Sequence, residues 1–216
     1  PQKESMDSIV LNWFGTQEIF FTIKPNYYCF LDPVFDAKEV PSNLKENFDL
    51  LINSLDKVDW NMTILIPANF KNLKFAGIRN AYLKIKKFNF TPLQSKGFFV
   101  NKIMDLGLGM TTPESVIIPA IIISINLKYK KILLTGVEHS WVKKLKITKA
   151  NKVTLEFKHF YKSNKRVEMN STMSELLLAQ HRLFNSHDIV AKYAKFKNVK
   201  VINTTKKSLI DSYDRI

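Results

Sequence analysis

Short apolar runs bounded by turn residues alternate with longer helical patterns in this chain, and the alternation is typical of an α/β fold. Strands are predicted in four segments of the first half: DSIVLNWF (7–14), NYYCFLDP (26–33), MTILIPAN (62–69) and YLKIKKFNF (82–90). Each run is short and mostly apolar, as buried parallel strands are. The pattern predicts an α/β fold with a mostly parallel sheet and helices on both faces.

The second half continues the alternation. Helices are predicted over 42–55, with Ser42 as N-cap, over 113–127 and over 173–196. Strands are predicted over 130–136, 152–161 and 199–204. The strand 130–136 follows an apolar helix and is therefore expected to be parallel to its neighbours.

Length and composition favour one domain in a reducing compartment. The chain has 216 residues, 45% of them hydrophobic, which suits a single compact domain over 1–216. Its one cysteine, Cys29, excludes an internal disulfide and fits the cytoplasm. The longest apolar run, Val116 to Leu127, is interrupted by Pro119 and is shorter than the roughly 20 residues of a membrane span. No apolar signal region stands at the N-terminus. We expect a soluble, cytoplasmic protein.

The charge indicates an anionic partner. The chain carries 33 Lys and Arg against 19 Asp and Glu, a formal charge of +14. Such an excess attracts nucleic acid, a nucleotide or an anionic membrane surface, and charge alone does not choose among them. Several lysine-rich segments contain aromatic residues, as nucleic-acid surfaces do, but no recognised nucleic-acid-binding module is visible. We therefore expect no nucleic-acid partner, and we keep peripheral attachment to the inner face of an anionic membrane as an alternative location.

The segment KILLTGVEHSW (131–141) is the first candidate site. In parallel α/β sheets, ligands bind just beyond the carboxyl ends of the strands. After the strand, Thr135 and Gly136 allow close approach of the backbone to a ligand, and Glu138 and His139 lie where a reacting group could sit. The alternative is a plain strand end with exposed polar residues.

Other predicted strands also end on polar residues, namely Asn12, Asp32 and Asn69. A side-chain amide or carboxylate at such a place can bind a ribose hydroxyl or a base edge. Each of these residue types is also a common helix cap, which is the alternative for every one of the three.

His159 and Tyr161 stand two apart in FKHFYK (157–162), so they share one face of an extended segment. A neutral imidazole can take a proton from an attacking hydroxyl, and a phenol can donate a hydrogen bond to a departing phosphate. The alternative is a half-buried aromatic strand. His181 and His187 fall on the long helix and are expected to pack or to face solvent.

Several motifs are absent from the sequence. It contains no Walker loop, no Gly-x-Gly-x-x-Gly, no Gly-x-Ser-x-Gly elbow and no zinc-ligand spacing. It also lacks an Asp-x-Asp pair. We therefore expect transfer chemistry without a metal or a cofactor.

Three segments together resemble one family: TTPESVIIPAIIISINLKYKKILLTGVEHSW (111–141), KHFYK (158–162) and VINTTKKSLIDSYDR (201–215). They are similar to the bacterial sialyltransferase-like glycosyltransferases of the Campylobacter type and to polysaccharide-biosynthesis proteins of the pterin-pyrophosphokinase-like superfamily. In these proteins a Thr/Ser-rich loop opens a buried helix, and a later strand ends on Ser/Thr-Gly-hydrophobic-Asp/Glu.

The resemblance implies a Rossmann-like enzyme that binds a CMP-sugar, with a sialic-acid-like or Kdo-like acid as the sugar. Inverting, metal-independent transfer to a cell-surface glycan or lipid-linked glycan is implied, and a homo-oligomer is compatible with it. The implied nucleotide- and donor-binding residues are Asn12, Asp32, Thr111, Thr112, Ser115, Gly136, Glu138, Asn203 and Ser208. The resemblance makes His159 the general base and Tyr161 the residue that assists the leaving phosphate.

The chain departs from the family pattern at two places. Family members begin with a strand and a Gly-x-Gly-Pro-Ser phosphate loop, so either such a segment precedes Pro1 or the phosphate is held differently. The family's tyrosine pair after the later strand is replaced by His-Ser-Trp (139–141), which makes His139 a rival of His159.

Two alternative functions stay open. A pyrophosphokinase acting on a pterin-like substrate would need magnesium and paired carboxylates, and the sequence offers no convincing acidic cluster. A non-enzymatic module that binds nucleic acid or a membrane is supported by charge alone.

Overall fold

A computed structural model describes residues 6–71, 78–93, 95, 97–158 and 164–216, with the backbone only for 156–158 and 164–166. The chain is mixed α/β. It divides into two compact units. The first contains the described residues of 1–93, 102–110 and 115–120, and the second those of 94–101, 111–114 and 121–216. Among the described residues, no helix combines the length and the apolar character needed to cross a bilayer.

The elements up to residue 93 are short. The strands are β1 (Ile9–Leu11), β2 (Tyr27–Cys29), β3 (Met62–Pro67), β4 (Leu83–Phe88) and β5 (Pro92–Leu93). The helices are α1 (Ile19–Ile23) and α2 (Lys45–Asp56), with 3₁₀ turns at Asn12–Thr16, Pro33–Asp36 and Ser42–Leu44.

Later elements include the longest helix. The strands are β6 (Met110–Thr111), β7 (Lys131–Leu134), β8 (Leu145–Ile147), β9 (Val153–Lys158), β10 (Asn164–Glu168), β11 (Lys200–Asn203) and β12 (Asp214–Arg215). The helices are α3 (Phe98–Asp105), α4 (Ile117–Asn126) and α5 (Met173–Phe196), with a 3₁₀ turn at Ser140–Lys144.

The first unit contains a four-stranded parallel sheet in the order β1-β2-β3-β4. The apolar runs predicted as strands form this sheet, and Cys29 pairs with Leu65 in its middle. β4 lies at one edge and carries three lysines, which is a common way to discourage pairing with another chain. The parallel sheet confirms the predicted α/β class.

An aromatic cluster holds the first unit together. Tyr28 and Phe30 of the β2 region stack with ring centroids 4.2 Å apart, and Phe35 meets Phe30 edge-on at 4.8 Å. From α2, Phe48 and Leu51 complete the cluster, and all five side chains are buried. Burial of each side chain of this size contributes about 1.5–3 kcal/mol.

The predicted strand 7–14 is wrong beyond Leu11, because the Tyr28 hydroxyl organises a turn there. Tyr28 Oη donates to the Asn12 carbonyl at 2.5 Å and accepts the Gly15 N–H at 2.6 Å. Asn12 adopts a left-handed backbone, with φ of 44°, which asparagine tolerates better than most residues. The chain therefore leaves the sheet at Asn12.

Tyr28→Phe should lower the free energy of unfolding by about 1–3 kcal/mol, because it leaves the Asn12 carbonyl and the Gly15 N–H without their partner. Urea denaturation measures this change. Tyr82→Phe is the matched control, since Tyr82 is 48% exposed, and it should change stability by less than about 0.5 kcal/mol. Equal stability of the two variants would contradict the role of the Tyr28 hydroxyl.

Two predicted helices begin later than expected. α2 begins at Lys45 after a 3₁₀ turn, and its cap position is Leu44, so Ser42 does not cap it. α4 begins at Ile117 rather than at residue 113. Pro119 has no N–H to donate to Ser115, so a helix begun at 113 would be broken there, whereas proline is tolerated in a first turn.

The second unit contains two small sheets. β7, β11 and β12 form a parallel sheet in the order β12-β11-β7, as predicted for the strands near 130 and 199. β8, β9 and β10 form an antiparallel sheet that the sequence did not predict.

α5 has the predicted bounds. The side chain of Thr172 accepts the Glu175 N–H, and the Glu175 carboxylate accepts the Thr172 N–H, so both ends of a capping box are present. The helix buries Leu183, His187 and Val190 on one face.

Candidate functional site

The carboxyl ends of β7 and β11 lie side by side in the second unit, because the two strands are parallel neighbours with Leu134 paired to Asn203. Thr135 Oγ1 lies 2.9 Å from Thr204 Oγ1. The Val137 N–H donates to Thr205 Oγ1, in the loop after β11, at 3.1 Å. The loops that leave these two strands are thus tied together.

The same contacts bring the predicted residues of the two loops together. The Leu209 N–H donates to the Glu138 carbonyl at 2.8 Å, so Ser208 and Glu138 belong to adjoining segments. Ser208 is buried, and its carbonyl accepts from Arg215 at 2.8 Å. Asn203 is 1% exposed, and its side-chain Nδ2 has no hydrogen-bond partner among the residues that the structure describes. An unpaired buried donor is costly unless something else accepts its hydrogen bond.

Gly136 and His139, both in the loop after β7, adopt left-handed backbone conformations. Gly136 has φ of 72°, and a Cβ placed on it would meet nothing within 4 Å. His139 has φ of 49°, an uncommon conformation for a residue with a side chain. Strained residues of this kind cluster at functional sites, so the loop after β7 is a candidate site.

A buried hydrogen-bonded chain starts at His139. Its Nε2 lies 3.0 Å from His187 Nε2, and His187 Nδ1 lies 3.0 Å from Tyr213 Oη. His187 is fully buried on α5, Tyr213 is buried just before β12, and His139 is partly exposed. We call these three residues the Tyr213–His187–His139 chain.

The available partners of each polar atom indicate the direction of donation in the Tyr213–His187–His139 chain. His187 Nδ1 is the one hydrogen-bond partner of the Tyr213 hydroxyl among the described residues, and we assign the hydroxyl as the donor. His187 then carries its proton on Nε2 and donates to His139 Nε2. His139 therefore holds its own proton on Nδ1, the ring nitrogen that is not hydrogen-bonded to His187.

Burial keeps both imidazoles neutral at pH 7. It lowers the pKa of His139 to about 4 and, together with repulsion from a protonated His139, lowers the pKa of His187 to about 3. Burial, with the nearby Asp188 carboxylate, raises the pKa of Tyr213. Proton movement along the whole chain would leave a buried tyrosinate, which these surroundings disfavour. His139 is thus suited to donate a hydrogen bond from Nδ1 as a neutral imidazole.

The predicted threonine loop is attached to α5 next to His187. Thr111 Oγ1 donates to Ser186 Oγ at 3.1 Å, and Ser186 Oγ donates to the Thr112 carbonyl at 2.7 Å. Glu114 forms an ion pair with Arg182, one turn earlier on α5. Ser186 directly precedes His187, so this loop belongs to the same part of the second unit.

The other predicted site residues that the structure describes belong to the first unit. Asn12 Oδ1 accepts the Leu31 N–H at 3.0 Å, and Asp32 caps the following 3₁₀ turn by accepting the Val34 N–H at 3.1 Å. Capping, the alternative for Asp32, is confirmed. Asn69 is exposed in the turn after β3, and Ser115 contributes a backbone carbonyl to the start of α4. Nucleotide binding by these four residues stays a prediction.

His159 and Tyr161 lie outside the described residues, so their predicted roles stay predictions. His187 and Tyr213 were not predicted as site residues. His187 was expected to pack or to face solvent, and it is buried, whereas His181 is exposed. The one available signal was the apolar stripe of α5, which places His187 on the same face as Leu183 and Val190.

No group of three His, Cys, Asp or Glu side chains able to hold a metal ion occurs within 6–71, 78–93, 95, 97–158 and 164–216. Metal-independent chemistry stays a prediction, since it concerns the reaction and not the contents of the structure.

Comparison with known proteins found no family model, no curated protein and no solved structure that matches the chain.

Proposed function

We propose that this chain is a glycosyltransferase that moves an acid sugar, sialic-acid-like or Kdo-like, from a CMP-sugar to a hydroxyl of a cell-surface glycan. The observation that supports this proposal best is the Tyr213–His187–His139 chain, which ends on a strained histidine beyond the carboxyl end of β7. Parallel strands bind nucleotides at that end, and a preorganised N–H donor can stabilise the negative charge that develops on a departing phosphate.

In the proposed reaction, the acceptor hydroxyl loses its proton to a base, and its oxygen forms a bond to the anomeric carbon of the sugar. The bond from that carbon to the phosphate oxygen breaks, and the electron pair leaves with CMP. His139 Nδ1–H donates a hydrogen bond to the oxygen that gains this charge. His187 and Tyr213 hold His139 in the tautomer that makes the donation possible. His159 is proposed as the base, as the family resemblance implies.

The nucleotide is proposed to lie against the two strand ends. Gly136 lets a ligand approach the backbone, and Asn203 Nδ2 is a donor without a partner in the described part of the chain. The proposal includes a Rossmann-like arrangement, supported by the parallel sheets of both units. It also includes a cytoplasmic location at the inner face of the membrane, supported by the charge of +14.

Calorimetric titration with CMP, UMP, AMP and GMP tests the donor class. CMP should bind most tightly, because the resemblance implies a cytidine donor. Binding of another nucleotide without binding of CMP would show that the donor class is wrong.

Gly136→Ala tests the position of the nucleotide and should weaken CMP binding by about tenfold, roughly 1.4 kcal/mol, because the new Cβ would occupy space next to the ligand. Gly107→Ala is the matched control. Gly107 has φ of 67° against 72° for Gly136, and at both positions a Cβ meets nothing within 4 Å, so the backbone strain is comparable. Equal CMP affinities in the two variants would place the nucleotide away from Gly136.

A further inference from the structure

A cleft of about 400 Å³ opens in the second unit at the amino ends of β7 and β11, the opposite end of these strands from His139. Lys130 precedes β7, and Lys200 begins β11 and donates its N–H to the Lys130 carbonyl at 2.9 Å. Lys195, near the end of α5, lines the same space. Three lysines from separate segments thus line one opening of a size that suits a small ligand.

The positive charge in the cleft is only partly compensated. Lys200 Nζ lies 3.6 Å from Asp214 Oδ2, and both side chains are more than half exposed. Lys130 and Lys195 have no carboxylate partner among the described residues. Asp188 lies nearby, and its carboxylate accepts a hydrogen bond from Ser212, which lines the cleft. The lysines therefore leave a net positive potential that favours an anion.

Small apolar side chains form part of the cleft wall, beside its polar residues. Ala191 and Ala194 are three residues apart on α5 and therefore lie on the same side of the helix, and Val199 and Val201 also line the space. Tyr213 forms part of the wall while its hydroxyl is directed to His187. Lysine binds phosphate as a point charge, whereas apolar side chains can pack against a ring.

We propose that this cleft binds a small phosphorylated ligand that contains a ring, such as a sugar phosphate or a nucleoside monophosphate. The phosphate lies among Lys130, Lys195 and Lys200, and the ring lies against the alanines of α5. The site is separate from the one proposed at the carboxyl ends of β7 and β11, and it does not depend on the glycosyltransferase function.

Titration of the full ¹⁵N-labelled chain with ribose 5-phosphate, followed by NMR, tests the proposal. The amide signals of Asn198, Val199 and Lys200 should shift and saturate, and ribose without phosphate should shift them far less. The combined substitution Lys130→Gln, Lys195→Gln and Lys200→Gln should weaken binding at least about tenfold. The matched control is Lys143→Gln, Lys146→Gln and Lys149→Gln, which removes the same charge from the same unit and should leave the affinity within about twofold.

Several outcomes would overturn the proposal. If both triple substitutions weaken ribose 5-phosphate binding equally, the binding is general charge attraction and not recognition by the cleft. If ribose shifts the amide signals as much as ribose 5-phosphate does, the cleft does not recognise the phosphate. Shifts at Gly136 to His139 instead of at the cleft would assign the ligand to the other site. A single-stranded oligonucleotide that binds more tightly than ribose 5-phosphate, and is weakened equally by both triple substitutions, would show a diffuse nucleic-acid surface.

Discussion

His139→Ala should lower the turnover number of sugar transfer by about 10²–10³-fold at pH 7, the usual effect of removing one preorganised donor from a developing negative charge. The CMP-sugar affinity should change little, because the hydrogen bond to the phosphate oxygen strengthens mainly in the transition state. Release of CMP from CMP-activated sialic acid or Kdo in the presence of a glycan acceptor measures both quantities.

Tyr213→Phe separates a positioning role from direct contact. The variant keeps the ring but removes the hydroxyl that donates to His187 Nδ1, so the two imidazoles lose their fixed tautomers. Turnover should fall by about tenfold with KM nearly unchanged, an intermediate loss because His139 itself is retained. Imidazole ¹⁵N shifts provide an independent measurement, with the His139 proton on Nδ1 in the native chain and redistributed in the variant.

His181→Ala is the control for both variants, because His181 lies on the exposed part of α5 and should leave turnover unchanged. Full activity of His139→Ala would remove His139 from the reaction. A native His139 protonated on Nε2 would contradict the direction that we assign to the hydrogen bonds.

Acidification should destabilise the fold well above the range in which carboxylates titrate. The folded-state pKa values of His139 and His187, about 4 and about 3, lie below the ordinary value of 6.5. Between these values the unfolded chain binds a proton that the folded chain does not, so stability falls as the pH falls. From pH 6.5 to 4.5 each histidine should contribute a loss of about 2 kcal/mol in the free energy of unfolding.

Urea denaturation at pH 6.5, 5.5 and 4.5 measures this loss. His187→Gln removes one titrating group and should make the pH dependence shallower by about 2 kcal/mol over this range. His181→Gln should leave it unchanged. An equally steep dependence in the native chain and in His187→Gln would mean that His187 is not kept neutral by the fold.

Local patterns predicted the elements whose sequence carries a strong periodic signal. β3 was found because it is a short, mostly apolar run bounded by turn residues, and α5 because its helical pattern is the longest in the sequence. The antiparallel strands β8 and β10 were missed, since LKI and NKRVE carry too little apolar character to signal a strand. Their pairing depends on β9, which lies between them in the sheet.

The candidate site was predictable in part. The strand-end rule selected the loop at Gly136, the resemblance added Asn203, and the two loops adjoin because β7 and β11 are parallel neighbours. It could not reveal His187 or Tyr213. These side chains meet across 26 residues of sequence, and their meeting depends on how α5 packs against the segment before β12. Long-range side-chain contacts of this kind leave no periodic signal.

Tyr213 belongs to two environments, since its ring lines the lysine cleft and its hydroxyl fixes the tautomer of His187. A ligand that shifts this ring would alter the donor strength of His139 at the other end of the sheet. Coupling between two binding equilibria is reciprocal, so a CMP-sugar held by His139 would change the affinity of the cleft by the same factor. A single phenol, 3.0 Å from its histidine, would then allow one ligand to set the affinity for another.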